Sequence, residues 1–113
     1  MADECVFCRI ARGEIPAKIV AESEMCVAFR DLDPKAPVHV LVIPREHFAS
    51  LNEVGSPALL GDMLAVAVGV ARKEKIAESG YRVVLNTNAD GGQTVFHLHA
   101  HVMGGCHMAW PPG

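Results

Sequence analysis

Three histidines alternate with apolar residues near the end of the chain, in the segment His97-Leu98-His99-Ala100-His101. Successive side chains of an extended strand point to opposite faces, so this spacing predicts that the three imidazoles share one face while Leu98 and Ala100 enter a core. Histidine has the ordinary pKa closest to neutrality, and three in register are a poor choice for a merely structural face. The segment therefore predicts a strand that carries nitrogen ligands or nucleophiles.

The rest of the chain predicts an α+β fold on a mainly antiparallel sheet, with one long and one short helix. The long helix is expected to begin at the N-cap Ser56, with Pro57 in its first turn, and to stop near Gly80. Its apolar residues recur at helical spacing between Leu59 and Ala71. The short helix is expected over 5–11, and the five strands are expected over 18–21, 25–30, 38–43, 81–86 and around the histidines.

Composition and charge exclude several classes of partner. The 113 residues are 50% hydrophobic and 20% charged, which is typical of a single globular domain, here expected over 1–113. The net charge is −3 and the basic residues are scattered, so neither nucleic acid nor an anionic membrane is expected as a partner. No apolar run reaches membrane-spanning length, and the acidic start has no apolar signal core. The sequence thus predicts a cytoplasmic domain, small enough to gain stability from dimerisation.

The loop directly before the histidines combines two glycines with polar side chains, in Asp90-Gly91-Gly92-Gln93-Thr94. Glycines allow main-chain N–H groups to approach an anion closely, and the Thr94 hydroxyl could pass a proton to a leaving group. A Gly-Gly pair by itself is more often only a hairpin turn. Placed before three histidines, it favours phosphoryl or nucleotidyl transfer over metal-dependent hydrolysis.

The four cysteines fit a reducing compartment, because no export signal supports a secreted disulfide framework. Cys5 and Cys8 form a C-x-x-C pair, which can serve redox chemistry, contribute half of a Cys₂His₂ zinc site, or be two buried thiols. Cys26 lies in an apolar run and is expected to be a small buried hydrophobe.

The histidine segment, its Gly-Gly-Gln lead-in and several other motifs resemble the histidine-triad (HIT) family over nearly the whole chain. The further motifs are Phe-Arg-Asp at 29–31, Ala-Pro-Val-His-Val-Leu-Val-Ile-Pro at 36–44, Gly-Tyr-Arg at 80–82, Asn86 and the terminal Trp-Pro-Pro-Gly. The terminal motif is similar to that of the Hint branch, the adenosine 5′-monophosphoramidases. The resemblance implies a HIT-like fold with a five-stranded sheet, assembled as a homodimer.

The resemblance also implies a role for each site residue. His99 is expected to attack the α-phosphorus of a nucleoside phosphoramidate and form a nucleotidyl-histidine, while His101 contacts the phosphate and supports proton transfer to the departing amine. Thr94 stands where Hint members commonly carry serine, and His39 has a supporting role. The expected nucleotide-binding residues are Asp31, Leu32, Asn86, Gly92, Gln93, Thr94, His99 and His101. Without the resemblance, Asp31 reads more simply as a carboxylate capping the loop before Pro34.

Zinc-containing members of the family pair such a C-x-x-C with two histidines. One follows the central strand and the other is the first of the triad, positions held here by His47 and His97. The resemblance therefore implies a structural zinc on Cys5, Cys8, His47 and His97, and no organic cofactor.

The function implied is that of a homodimeric purine nucleoside phosphoramidase that also cleaves acyl or aminoacyl adenylates and releases AMP or GMP. The alternatives are dinucleoside polyphosphate hydrolysis, as in the Fhit branch, and a purine-nucleotide-binding adaptor with incidental catalysis. The terminal Trp-Pro-Pro-Gly argues against the first. Trp110 is expected either to reach the partner's active site or to close the edge of its own core.

Overall fold

Across residues 5–113, which the computed structural model describes, the chain forms two α-helices, five strands and a short 3₁₀ turn. The helices and strands follow the predicted order closely. Their bounds are α1 Val6–Ala11, β1 Ile19–Glu22, β2 Cys26–Arg30, β3 Val38–Pro44, α2 Pro57–Lys73, β4 Tyr81–Val84 and β5 Ala100–Gly104, with the 3₁₀ turn at Leu51–Glu53.

The strands form one antiparallel sheet in the order β1-β2-β3-β5-β4, which confirms the predicted α+β fold. Strand β3 occupies the centre, where Val40 lies opposite Val102 and Leu41 opposite His101. The apolar run of β3 fits this place, since a central strand covered on both faces needs few polar side chains.

The histidine segment departs from the prediction, because only His101 lies within β5; His97 and His99 precede it. In the continued register Leu98 would lie opposite Pro44, which has no N–H to donate to the ladder. The Leu98 N–H instead donates to the Phe48 carbonyl at 2.7 Å. The predicted alternation of faces survives in this extended stretch, since Leu98 is buried in the core while the histidines lie on the other side.

Helix α2 covers one face of the sheet. Its N-cap is Ser56, whose hydroxyl accepts the Leu59 N–H at 3.2 Å, as predicted. The helix ends at Lys73 rather than near Gly80, because the chain then turns through Lys75, whose φ is 63°, and buries Ile76 against the sheet. The main core between α2 and the sheet includes Val40, Val42, Met63, Ala67, Val70, Leu98, Ala100 and Val102.

The opposite face of the sheet carries a smaller apolar cluster under α1. Phe7 of α1 packs edge-on against Phe29, with ring centroids 5.6 Å apart, and Val27, Leu41 and Ile43 complete the cluster. The histidine side chains lie beside this cluster, so the site is built on the sheet face that α1 covers. Among residues 5–113, none of the helices has the length and apolar character needed to cross a membrane.

Candidate functional site

His99 is buried, at 7% exposure, and its ring orientation is fixed by a main-chain acceptor. Its Nδ1 lies 2.8 Å from the carbonyl oxygen of His97, and a carbonyl can only accept, so Nδ1 carries the proton. In a neutral imidazole the other nitrogen then has a free lone pair. A neutral His99 therefore has an unprotonated Nε2, and its side chain lines a cavity.

A chain of hydrogen bonds fixes the proton of His101 in the same way. The Lys35 N–H donates to Nδ1 of His39 at 2.9 Å, so a neutral His39 carries its proton on Nε2. That Nε2–H donates to Nδ1 of His101 at 2.9 Å, with an Asp31 carboxylate oxygen 3.4 Å from the same His39 nitrogen. His101 consequently keeps its own proton on Nε2, where it can serve as a hydrogen-bond donor.

Burial keeps the rings of His101 and His39 neutral. It lowers the pKa of His101 to about 4, with the neighbouring His99 and His39 lowering it further and Asp31 opposing them. Burial also lowers the pKa of His39, again against the opposing effect of Asp31. Near neutral pH the proton positions given for His39 and His101 therefore hold, since each of these two rings carries one N–H and one lone pair.

A cavity of about 440 Å³ lies next to the histidines, within the range of small-molecule sites. Its lining combines apolar side chains, several of them from α1 and β2, with a carboxylate, a hydroxyl and imidazoles. The apolar lining includes Val6, Phe7, Ile10, Phe29, Leu32 and Val95, and the polar lining includes Asp31, Thr94, His39, His99 and His101. Such a mixed lining fits a ligand that has both an apolar part and a polar part.

Three of the predicted nucleotide-binding residues lie away from the lining of this cavity: Asn86, Gly92 and Gln93. The Gln93 side chain is buried; its amide donates to the carbonyls of Ala49 and Val95, and its oxygen accepts the Asn88 N–H at 2.9 Å. These bonds hold the loop that places Thr94 at the cavity.

The neighbouring Gly91 is required by close approach, because a Cβ there would lie 2.5 Å from the Thr87 carbonyl oxygen. The next residue, Gly92, has a φ of 76°, in the left-handed region. Both glycines therefore serve the turn itself.

A second cluster joins four residues from three segments: Cys5, Cys8, His47 and His97. Nδ1 of His97 lies 3.3 Å from the Cys5 sulfur, 3.4 Å from the Cys8 sulfur and 3.2 Å from Nδ1 of His47, and the last atom lies 3.3 Å from the Cys8 sulfur. The other ring nitrogen of His97 donates to the Pro44 carbonyl at 2.9 Å. Its Nδ1 lone pair therefore points into the cluster, and the four residues are positioned to hold a metal ion.

Sequence reasoning missed the apolar wall of the cavity and the main-chain groups that orient the rings. The only sequence feature that pointed to the cavity residues of α1, which are Val6, Phe7 and Ile10, was their place on the same short helix as the C-x-x-C pair. No sequence feature pointed to the Pro44 carbonyl or the Lys35 N–H, which orient the rings of His97 and His39, because main-chain partners depend on the path of the backbone.

Comparison with known proteins agrees with this arrangement. The HIT domain family model matches residues 12–108. The chain is 46% identical over 107 residues to the purine nucleoside phosphoramidase of Escherichia coli strain K12, covering 93% of this chain and 90% of that protein. It is 50% identical over 115 residues to a HIT-like protein of Synechococcus elongatus, covering both in full.

Solved structures are also similar. A HIT family hydrolase from Legionella pneumophila superposes with a TM-score of 0.93 at 48% identity, covering 97% of this chain and 100% of that one. A histidine triad protein from Clostridium difficile does so with a TM-score of 0.90 at 38% identity, covering 94% of each chain.

Proposed function

The chain belongs to the HIT family and is a hydrolase, and we propose that it cleaves the P–N bond of purine nucleoside phosphoramidates by way of a nucleotidyl-histidine on His99. The observation that carries the proposal is the His99 ring, whose Nδ1–H is held by the His97 carbonyl while Nε2 faces the cavity. A neutral imidazole nitrogen with an oriented partner is the form required for nucleophilic attack.

In the first step the Nε2 lone pair of His99 forms a bond to the α-phosphorus. The P–N bond of the substrate breaks, and its electron pair leaves with the amine nitrogen. That nitrogen takes up a proton, for which the Thr94 hydroxyl and the Nε2–H of His101 are the donors at the cavity. The products of this step are a free amine and a nucleotidyl-histidine.

In the second step the oxygen of a water molecule attacks the same phosphorus and its proton returns to the group that protonated the amine. The bond to His99 breaks, and a nucleoside monophosphate is released with the His99 lone pair restored. Acyl and aminoacyl adenylates carry the same α-phosphorus with a carboxylate leaving group, so the same steps cleave them. His39 supports both steps by holding the proton of His101 on Nε2.

The cavity provides matching contacts for a nucleotide. The apolar wall around Phe7, Phe29 and Leu32 suits a purine ring, and the Asp31 carboxylate suits the hydroxyls of a ribose. Gly92 and Gln93 act on the phosphate through the loop that they shape rather than through the cavity lining. No organic cofactor takes part in these steps.

We propose zinc as the metal held by Cys5, Cys8, His47 and His97. Tetrahedral zinc with Zn–S of about 2.3 Å and Zn–N of about 2.0 Å places sulfur and nitrogen ligands roughly 3.5 Å apart and two nitrogens roughly 3.3 Å apart. The observed separations of 3.2 to 3.4 Å fit that set. Four protein ligands fill the coordination sphere, so the metal is structural and leaves His99 and His101 for the substrate.

We further propose that a single domain over 1–113 acts as a homodimer in the cytoplasm. Leu64 on the outer face of α2 is 50% exposed and Trp110 in the tail is 80% exposed, and a second copy would bury both. Four cysteines without a disulfide suit a reducing compartment.

The decisive experiment measures AMP release from adenosine 5′-phosphoramidate by the wild type and by His99→Ala. We expect turnover by the wild type and none by the variant. An active His99→Ala would overturn the nucleophile, and preferential cleavage of a dinucleoside polyphosphate would favour that hydrolase instead. Micromolar AMP binding without turnover would favour a nucleotide-binding adaptor.

A further inference from the structure

We propose that the metal centre controls nucleotide affinity, because Cys5 and Cys8 act as positioning residues that hold the wall of the nucleotide cavity through α1. The proposal rests on the function proposed above and on the fit of Cys5, Cys8, His47 and His97 to a metal ion. It assigns to the metal a role in substrate binding, although the metal lies outside the reacting centre.

Helix α1 takes part in both sites at once. Its N-cap Cys5 and its third residue Cys8 contribute to the metal cluster, while Val6, Phe7 and Ile10 line the nucleotide cavity. These five residues lie within two helical turns, so a shift of the helix that separates the sulfurs from the cluster also moves the cavity wall.

Helix α1 cannot keep this position by its own stability. It has six residues, and isolated helices shorter than about 12 residues are marginal in water. Its N-terminal cap is the Cys5 sulfur, a weak acceptor that receives the Cys8 N–H at 3.4 Å, and its first turn has no acidic residue. Val6 is 44% exposed, so the buried anchors of the helix are Phe7 and the metal ligand Cys8.

The metal cluster also reaches the nucleophile through His97. The ring of His97 belongs to the cluster, and its main-chain carbonyl accepts the Nδ1–H of His99 at 2.8 Å. Phe7 packs edge-on against both rings, with centroids 5.9 Å from His97 and 5.3 Å from His99. One aromatic side chain therefore joins α1, a metal ligand and the nucleophile.

A bound cation compensates the charge of two thiolates and fixes α1, the segment after β3 and the segment before β5 to one another. Without it the same contacts are thiol–imidazole hydrogen bonds, which are weak. Metal binding and nucleotide binding thus both require α1 in one position, and two ligands that favour the same state raise each other's affinity by the same factor.

The test compares the zinc-loaded full-length protein with protein stripped by a chelator, and measures the Kd for AMP by calorimetry and the hydrogen exchange of backbone amides. We expect stripping to raise the Kd for AMP by about tenfold or more and to remove protection in α1 while β3 and α2 stay protected. Added Zn²⁺ should restore both. Cys8→Ser should resemble the stripped protein and should not be restored, and Cys106→Ser, at an exposed cysteine in the tail, should resemble the wild type.

Reciprocity supplies a second measurement: saturating AMP should raise the affinity for Zn²⁺, measured by competition with a chromophoric chelator, by the same factor. The proposal is overturned by a Kd for AMP within twofold after stripping, by a zinc affinity that AMP does not change, or by loss of protection in β3 and α2 along with α1. AMP binding that depends on metal without phosphoramidate turnover would refute the proposed function and support this inference. A loaded wild type that does not bind AMP would refute both.

Discussion

Replacing His39 with leucine tests whether the proton of His101 is held in place by its neighbour. His39 is buried, accepts the Lys35 N–H and donates to Nδ1 of His101. Leucine fills similar space and removes both bonds, so Nδ1 of His101 loses its donor and the ring is free to hold its proton on either nitrogen. The bond that fixes the productive form is worth roughly 1 to 1.5 kcal/mol, which corresponds to about a tenfold lower kcat.

The assay is AMP release from adenosine 5′-phosphoramidate at saturating substrate, with circular dichroism to verify the fold. KM should change little, because His39 acts on His101 rather than on the apolar wall. His39→Gln is the matched variant, since its amide N–H can still donate to His101, and we expect it to retain more of kcat than His39→Leu. A leucine variant within twofold of the wild type, or a glutamine variant as slow as leucine, would refute the reasoning.

Three further predictions concern stability and the loop before the histidines. Burial lowers the pKa of His101 from 6.5 to about 4, so the neutral ring contributes to the free energy of unfolding in full above pH 6.5, and this contribution is lost as the pH falls through about 4. Urea unfolding measured between pH 7.5 and 4 should show the loss. The free energy of unfolding of His101→Gln should decline less steeply over the same range. Leu98→Ala should lower the free energy of unfolding by about 2 to 5 kcal/mol, because Leu98 is fully buried under α2. Gly91→Ala should destabilise by about 1 kcal/mol or more and reduce kcat, since the new Cβ meets the Thr87 carbonyl. Gly69→Ala is the control and should stabilise the protein by roughly 0.5 to 1 kcal/mol, because Gly69 lies inside α2 and a Cβ there meets no other atom within 4 Å. Unfolding curves that do not separate Gly91→Ala from Gly69→Ala would contradict both predictions.

The fold could be predicted because its determinants are local in sequence. Ser56 and Pro57 mark the start of α2, and the β-branched run of β3 identifies a central strand. The end of α2 could not be predicted, because the turn at Lys75 is set by burial of Ile76 against a sheet that forms from distant segments. The limits of β5 depended in the same way on a partner strand, since Pro44 ends the ladder from the opposite side.

The C-x-x-C pair and the alternating histidines stand out by residue type, and the resemblance to the HIT family implied both the other metal ligands and a separate role for each histidine. In the structure the three rings differ in what each ring nitrogen faces. The acceptor for His97 is the Pro44 carbonyl, which turns its Nδ1 to the cysteines. The acceptor for His99 is the His97 carbonyl, which leaves Nε2 facing the cavity. His101 meets a donor instead, the Nε2–H of His39, and therefore keeps its proton on Nε2.

Alternation along an extended chain brings the rings of His97, His99 and His101 to one side of the chain, but alternation alone gives no reason for the three rings to differ. The rings differ because each has its own hydrogen-bond partner: the Pro44 carbonyl, the His97 carbonyl and the His39 imidazole. The sheet determines where these three partners lie. A substitution that moved Pro44 or His39 would therefore change the chemistry of a histidine without altering the histidine itself.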